Sequence, residues 1–310
     1  MNFQKTFRFR NDMASLKTLV AGARTSTKLL PYLALALGTL GLGMSGIFTT
    51  WAGVPGPVSG FYRMGVAAAV MAIPFGVEVR RRTLASWKHV GLAALAGLFF
   101  AGDMAAWNTS VLMIPAGPAT LFGNTAPIWV GLGALVLFKE KLNRSFWAGL
   151  ALSLIGAAVI VSGRFNAQAL SAAGSFLALL AGGFYAGFFL ATQRAREGMS
   201  SLGSWWVSAV TSTLTLLVVI WLFGQSVLGY PANTYVNLIL LALVSQVTGY
   251  LAINYALGHL PASIVSPTLL GQPVLTALLA VPLLGQPLTP AMIVGGALIW
   301  GGIWLVNQRR

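Results

Sequence analysis

The sequence predicts an all-α polytopic membrane protein: ten transmembrane helices arranged as two inverted five-helix repeats, with both termini cytoplasmic. Three observations predict it. The 310 residues are 57% hydrophobic and only 8% charged, whereas soluble domains carry about 25% charged residues. The chain divides into ten apolar runs, each close to the roughly 20 residues needed to cross a bilayer. The stretch PAGPATLFGNTAP at 115–127 returns as PASIVSPTLLGQP at 261–273.

The runs lie at approximately 31–51, 58–77, 89–111, 116–138, 146–163, 172–192, 203–223, 235–257, 262–284 and 289–306. Charged, Pro or Gly breaks separate them. With ten spans, every Lys and Arg except Arg63 and Arg164 falls on one side, in the leader, residues 80–88, the Lys139–Arg144 connector, Arg194, Arg196 and the tail. Cytoplasmic loops carry the excess of Lys and Arg, so that side is the cytoplasm. One span more or fewer would scramble the sorting.

The net charge of +14 does not mark a nucleic-acid binder, because the cations sit in short connectors between apolar runs. Residues 1–30 hold six Lys/Arg and one acid and read as a basic cytosolic leader. A transit peptide is the alternative, but the apolar run after Lys28 is long enough to span and no A-x-A-like site closes it. With no cysteine, thiol chemistry and disulfides are excluded. The sequons at Asn108 and Asn143 fall in a span and on the inner side, so no glycan is expected.

At an offset of 146 residues the internal match extends well beyond the prolines. It pairs Asn108 with Asn254, Pro115 with Pro261, Thr120 with Ser266, Pro127 with Pro273, Gly149 with Gly295 and Gly156 with Gly302. The implied organisation is a first five-helix repeat at 31–163, a linker at 164–170, a second repeat at 171–306 and a basic tail at 307–310. Because five is odd, the second copy enters the membrane inverted. That architecture places a substrate site at the repeat interface and supports alternating access. Spans four and nine are then bent or interrupted helices, with Pro115, Pro118, Pro127, Pro261, Pro267 and Pro273 as hinge or bend prolines. Such breaks are tolerated where freed carbonyls face a cavity or protein rather than lipid.

The ten-span plan, the repeated N…P-A…P segment, the stretch AGDMAAWNTSVLMIPAGPATLFGNTAPIWV followed by KEKLN, and GPVSGFYRMG with its Arg in span two resemble the EamA-type ten-helix branch of the drug/metabolite transporter superfamily. The resemblance covers residues 31–306. It implies a metabolite exporter of the bacterial inner membrane with a central cavity. Amino acids are the foremost substrates it implies, aromatic ones included, since exporters of the YddG type form one such group. The chain departs from small multidrug transporters, whose first span carries an acid where this one reads LGLGMSGIF. It departs from phosphosugar carriers too, because Arg63 stands alone as an intramembrane cation.

Ionisable residues inside spans are costly and face the bundle interior, which makes Arg63 and Asp103 the foremost site candidates. At about 1.5 Å per residue they lie roughly 8 Å and 12 Å deep from the outer ends of spans two and three. They read either as a structural ion pair or as the partners of a zwitterion's carboxylate and ammonium, with Asp103 also a candidate for carrying a coupling proton. Trp107 shares a helix face with Asp103, and Asn108 follows it. Gln246, Tyr250 and Asn254 form a polar stripe along span eight, either lining a cavity or bonding between helices. Asn124, Tyr185, Tyr255 and Gln272 complete the set. Trp51, Trp87, Trp147, Trp205, Trp206 and Trp304 are expected in the interfacial belts. His89 and His259, near span ends, are expected to be wetted rather than metal ligands. GLGMSG at 41–46 matches G-x-G-x-x-G, but no strand precedes it. It reads as small-residue packing, as does GFYAG at 183–187. Spans five and ten, apolar and Gly-rich, are expected at the periphery as dimer faces or as supports between the repeats.

Five acids, two His and no Cys offer no constellation for an enzyme, a metal or a cofactor. A channel-like facilitator or a membrane-embedded receptor is the alternative from another class. Within export, amphipathic drugs or nucleoside-like metabolites are the alternative cargo. The expected partners are the lipid bilayer and a small-molecule substrate, with a homodimer as the assembly.

Overall fold

The computed structural model describes residues 29–81, 85–111, 113–114, 116–162, 171–285 and 287–308. The leader up to residue 28, Pro115, Gly163, Arg164, the linker 164–170, and Arg309 and Arg310 in the tail therefore lie outside the described residues. What is described is helical, with no strand among the described residues. Ten segments are long and apolar enough to cross a membrane: Leu29–Thr49, Gly56–Arg81, Trp87–Ser110, Pro118–Leu137, Arg144–Ser162, Ala172–Ala195, Ser201–Leu222, Ala232–Leu257, Ala262–Leu283 and Pro290–Asn307. They coincide with the ten apolar runs to within a few residues.

Six spans are single helices: α3 (Gly56–Arg81), α4 (Trp87–Ser110), α7 (Arg144–Ser162), α8 (Ala172–Ala195), α9 (Ser201–Leu222) and α14 (Pro290–Asn307). The other four change conformation partway. Span one turns at Met44, between α1 (29–43) and α2 (Ser45–Ala52). Span four breaks at Asn124 and Thr125, between α5 (Ala116–Gly123) and α6 (Ala126–Leu137). Span nine passes from α12 (Ala262–Thr268) through a 3₁₀ turn at Leu269–Gly271 into α13 (Gln272–Leu284). Span eight runs from α10 (Ala232–Leu241) through a π-helical segment, Ala242–Tyr250, into α11 (Leu251–Leu257).

The prolines explain where spans four and nine break. Pro127 sits in the first turn of α6 and Pro273 is the second residue of α13. A missing N–H costs nothing there, because first-turn donors lack intrahelical partners in any case. Pro118 and Pro267 fall inside α5 and α12, and Pro261 precedes α12 in extended conformation. The loosened backbone of span four is turned toward protein. Phe122 O accepts from Thr125 Oγ1 at 2.6 Å, and a Cβ on Gly182 of α8 would stand 3.0 Å from Gly123 O. Gly182 lets α8 close over the break, so no freed carbonyl has to face lipid.

Hydroxyls stitch the spans together. Ser208 and Ser212 of α9 donate to Ala93 O and Gly97 O of α4 at 2.7 and 2.8 Å. Ser110 donates to Gly174 O at 2.9 Å, and Ser245 to Gly41 O at 2.8 Å. Interhelical bonds of this kind average about 0.6 kcal/mol each inside a membrane, so their effect is register more than stability. The last bond seats the GLGMSG stretch on span eight, in keeping with small-residue packing.

The glycine faces of spans five and ten are turned toward each other. A Cβ on Gly156 would meet Gly295 O at 2.5 Å, one on Gly149 would meet Gly302 O at 2.6 Å, and Ser153 Oγ donates to Ile299 O at 3.3 Å. These stripes face each other within the chain, as supports between its two halves.

Candidate functional site

Arg63 lies two turns into α3, about 10 Å from that helix's start at 1.5 Å per residue. Asp103 lies two turns before the end of α4, at matching depth. They do not form an ion pair: no contact within 4 Å joins them, although the Asp103 charge acts on Arg63 through space. The guanidinium is held instead by Gln246 of the π segment. With its amide oriented to suit the network, the Gln246 side-chain oxygen accepts from Arg63 Nε at 2.7 Å and from Nη2 at 2.6 Å. Gln246 is fully buried, and its backbone carbonyl accepts from Trp205 Nε1 at 2.9 Å.

Two tyrosines complete this group. Tyr185 of α8 and Tyr250, at the end of the π segment, share a hydroxyl–hydroxyl bond of 2.9 Å, and both lie near Arg63. A π turn carries i→i+5 bonds and is found disproportionately at functional sites. Thr248 Oγ1 bonding back to Leu243 O at 3.0 Å is consistent with that wider winding. The four-residue spacing thus keeps Gln246 and Tyr250 facing one group, whereas Asn254, one α-helical turn on, lies elsewhere. Asn254 is fully buried and its side-chain amide has no hydrogen-bond partner.

Trp205 is not an interfacial residue. It is fully buried, stacked on Tyr250 with ring centroids 5.1 Å apart and planes 13° from parallel. Phe100 stands edge-on to both, at 5.9 and 5.0 Å, and Phe188 fills the remaining side. Trp51, Trp87 and Trp304 are exposed as a belt requires, and Trp147 packs edge-on against Phe146. The error over Trp205 came from its place near the start of span seven. Distance along a span does not say whether a residue faces lipid or neighbouring helices, and Trp205 faces helices.

The remaining candidates are dispersed. Asn108 donates to Met104 O at 2.5 Å and covers Gly56 at the start of α3. Trp107 packs over Gly123 at the break in span four, close to Asn124, whose N–H bonds Thr120 O. Gln272 opens α13 at the break in span nine. Tyr255 belongs to the opposite end of the molecule, where its ring lies 4.4 Å from that of His259. The two histidines bond locally, His89 to Ser86 Oγ and His259 to Tyr255 O. Among the described residues no His, Asp, Glu and Cys group is arranged to hold a metal.

That end holds two cavities. One of about 780 Å³ is lined by the end of α3 (Phe75, Glu78), the start of α4 (Trp87, Val90), the α8–α9 turn (Arg196, Glu197) and by Trp206 and Tyr255. A second, of about 310 Å³, adjoins Gln193, Arg196 and Pro261. Arg63, Asp103 and Gln246 line neither. Trp206 lines the larger cavity, while its neighbour Trp205 bonds Gln246 O and packs on Tyr250. Arg196 borders both cavities, donating from Nε to Asn254 O at 3.0 Å and from Nη1 to Met199 O. Burial draws its guanidinium below the ordinary arginine value, with Glu78 and Tyr255 opposing the shift.

Sequence reasoning also missed a polar latch at the start of span nine. Gln193 Oε1 accepts from Ala262 N–H at 2.6 Å, and Ser263 Oγ donates to Glu140 of the span-four-to-five connector. Pro261 supplies no side-chain cap to α12, so Gln193 of α8 takes over that task, while Glu140 ties down the Ser263 side chain.

The EamA-like transporter family matches the chain twice, over residues 29–162 and 172–308. The chain is 30% identical over 204 residues to a protein of Salmonella typhimurium named a probable amino-acid metabolite efflux pump, covering 62% of this chain and 67% of that one. It is 25% identical over 248 residues to a probable terminal-alkyne amino-acid exporter of Streptantibioticus cattleyicolor, covering 80% and 82%. A crystal structure sharing 19% identity superposes with a TM-score of 0.74, over 91% of this chain and 96% of the other, and so shares its fold. A ten-span helical bundle, an intramembrane arginine held by a glutamine and two family matches that together span most of the chain make this a multi-pass membrane transporter and not an enzyme: the chain belongs to the EamA-like transporter family.

Proposed function

We propose that this transporter exports amino acids, aromatic ones included, from the bacterial cytoplasm across the inner membrane, binding them at the Arg63–Gln246–Tyr185–Tyr250 group. One observation carries the reading. Arg63 is held by a neutral amide while Asp103 stands nearby with no ion pair to it, so a guanidinium and a carboxyl group face the bundle interior unpaired with each other. A zwitterion's carboxylate and ammonium fit that arrangement, and the surrounding rings suit an apolar side chain. The names of the two relatives support the same substrate class.

The mechanism is alternating access between two inverted repeats, with both termini in the cytoplasm. Supporting it are the two family matches, the interruption of spans four and nine at corresponding places, and the reciprocal glycine contacts. Gly149 aligns with Gly295 and touches Gly302, while Gly156 aligns with Gly302 and touches Gly295. Such self-complementary pairing is what a two-fold relation between halves produces. The prolines of spans four and nine would act as the hinges, and the Lys/Arg sorting supports the orientation. On that orientation the cavity of about 780 Å³ opens to the cytoplasm.

The test is uptake of a labelled amino-acid panel into liposomes containing the purified protein, with Asp103→Asn in parallel and with or without an imposed pH gradient. Saturable uptake of phenylalanine or tryptophan is expected. Sensitivity to both the gradient and the substitution would make Asp103 the coupling group. No uptake of any amino acid would overturn the substrate class and direct the assay to amphipathic drugs and nucleosides.

A further inference from the structure

We infer that the cavity at Arg196 is a second amino-acid subsite, at the mouth of the pathway and separate from the Arg63 group. The inference rests on the substrate class proposed above. Arg196 has five N–H donors. Two are committed to the backbone carbonyls of Asn254 and Met199, and the rest bond nothing among the described residues. Those two anchors fix the plane of the guanidinium, which packs over Gly258 through Nη2 and borders both cavities. A carboxylate suits such a fork because two parallel bonds can form at once.

The rest of the cavity suits the other parts of an aromatic amino acid. Phe75 and Trp206 stack at 4.3 Å, 17° from parallel, and with Tyr255 they offer an apolar wall. The Glu78 carboxylate lines the same space and acts electrostatically on Arg196. A volume of about 780 Å³ lies within the range of small-molecule sites. No such complementarity is needed if Arg196 only clasps the α8–α9 turn to α11.

The experiment labels the purified wild-type protein in detergent with phenylglyoxal, which attacks accessible guanidinium groups, and follows the Arg196 peptide by mass spectrometry. L-Phenylalanine at about ten times its dissociation constant should slow labelling about tenfold, and phenethylamine, which lacks the carboxylate, should not. Equal protection by both compounds, or by neither, overturns the subsite. An Arg196 that resists the reagent also overturns it, because phenylglyoxal is no larger than the ligand. Protection by added phosphatidylglycerol that phenylalanine cannot relieve assigns the cavity to a lipid headgroup and overturns it as well. Transport is scored separately: uptake without protection removes this subsite alone, and protection without uptake leaves the subsite standing while the transport reading falls.

Discussion

The side-chain oxygen of Gln246 meets both Nε and Nη2 of Arg63, at 2.7 and 2.6 Å, so the intramembrane cation of span two is anchored by an amide from span eight and not by a carboxylate. Gln246→Leu should leave a buried guanidinium without its partner. Hydrogen bonds to charged groups contribute about 1.5–3 kcal/mol each, so a clear fall in thermal stability is expected, read by size-exclusion of heated detergent extracts. Gln246→Glu should retain stability yet lose transport, because it neutralises Arg63 within the bundle. Full transport in Gln246→Glu would remove Arg63 from the substrate site.

The Tyr185–Tyr250 hydroxyl bond joins the first and third spans of the second half. Tyr185→Phe and Tyr250→Phe should each lower stability by about 1 kcal/mol. The double variant should cost less than the sum, because either change alone already breaks the shared bond. Strict additivity in a denaturation series would show that the two hydroxyls do not depend on each other.

Trp205 and Trp87 make a matched pair. Trp205 is fully buried and Trp87 is 88% exposed. Trp205→Ala should cost about 3–5 kcal/mol through the cavity it opens and should sharply reduce the yield of folded protein. Trp87→Ala should stay within about 0.5 kcal/mol. Equal losses, measured by thermal shift, would contradict the buried placement of Trp205.

The glycines offer a contrast of sign. A Cβ at Gly156 would collide with Gly295 O of the facing helix, and Gly156→Ala should separate spans five and ten and destabilise the protein. Gly76 and Gly91 have nothing within 4 Å of such a Cβ. Replacing them with Ala in these helices should stabilise by about 0.5–1 kcal/mol, visible as a raised midpoint in the same thermal assay.

By itself the sequence determined the ten spans and the twofold internal repeat, together with the breaks in spans four and nine. These are local or linear properties: an apolar run of bilayer length must hydrogen-bond to itself as a helix, and Pro127 and Pro273 restrict where it continues unbroken. It also singled out Arg63, Asp103 and Gln246, because a polar residue in an apolar run is conspicuous whatever its neighbours. Only the tertiary structure decided which of them meet. Arg63 went to Gln246 and not to Asp103, because a π segment that no composition signals aims Gln246 at it. Trp205 and Arg196 went unrecognised for a related reason. Their roles depend on carbonyls contributed by distant segments, at Gln246 for the first and at Asn254 for the second. A one-dimensional pattern encodes how far a residue lies along its helix, whereas a site is made by the crossing of several helices.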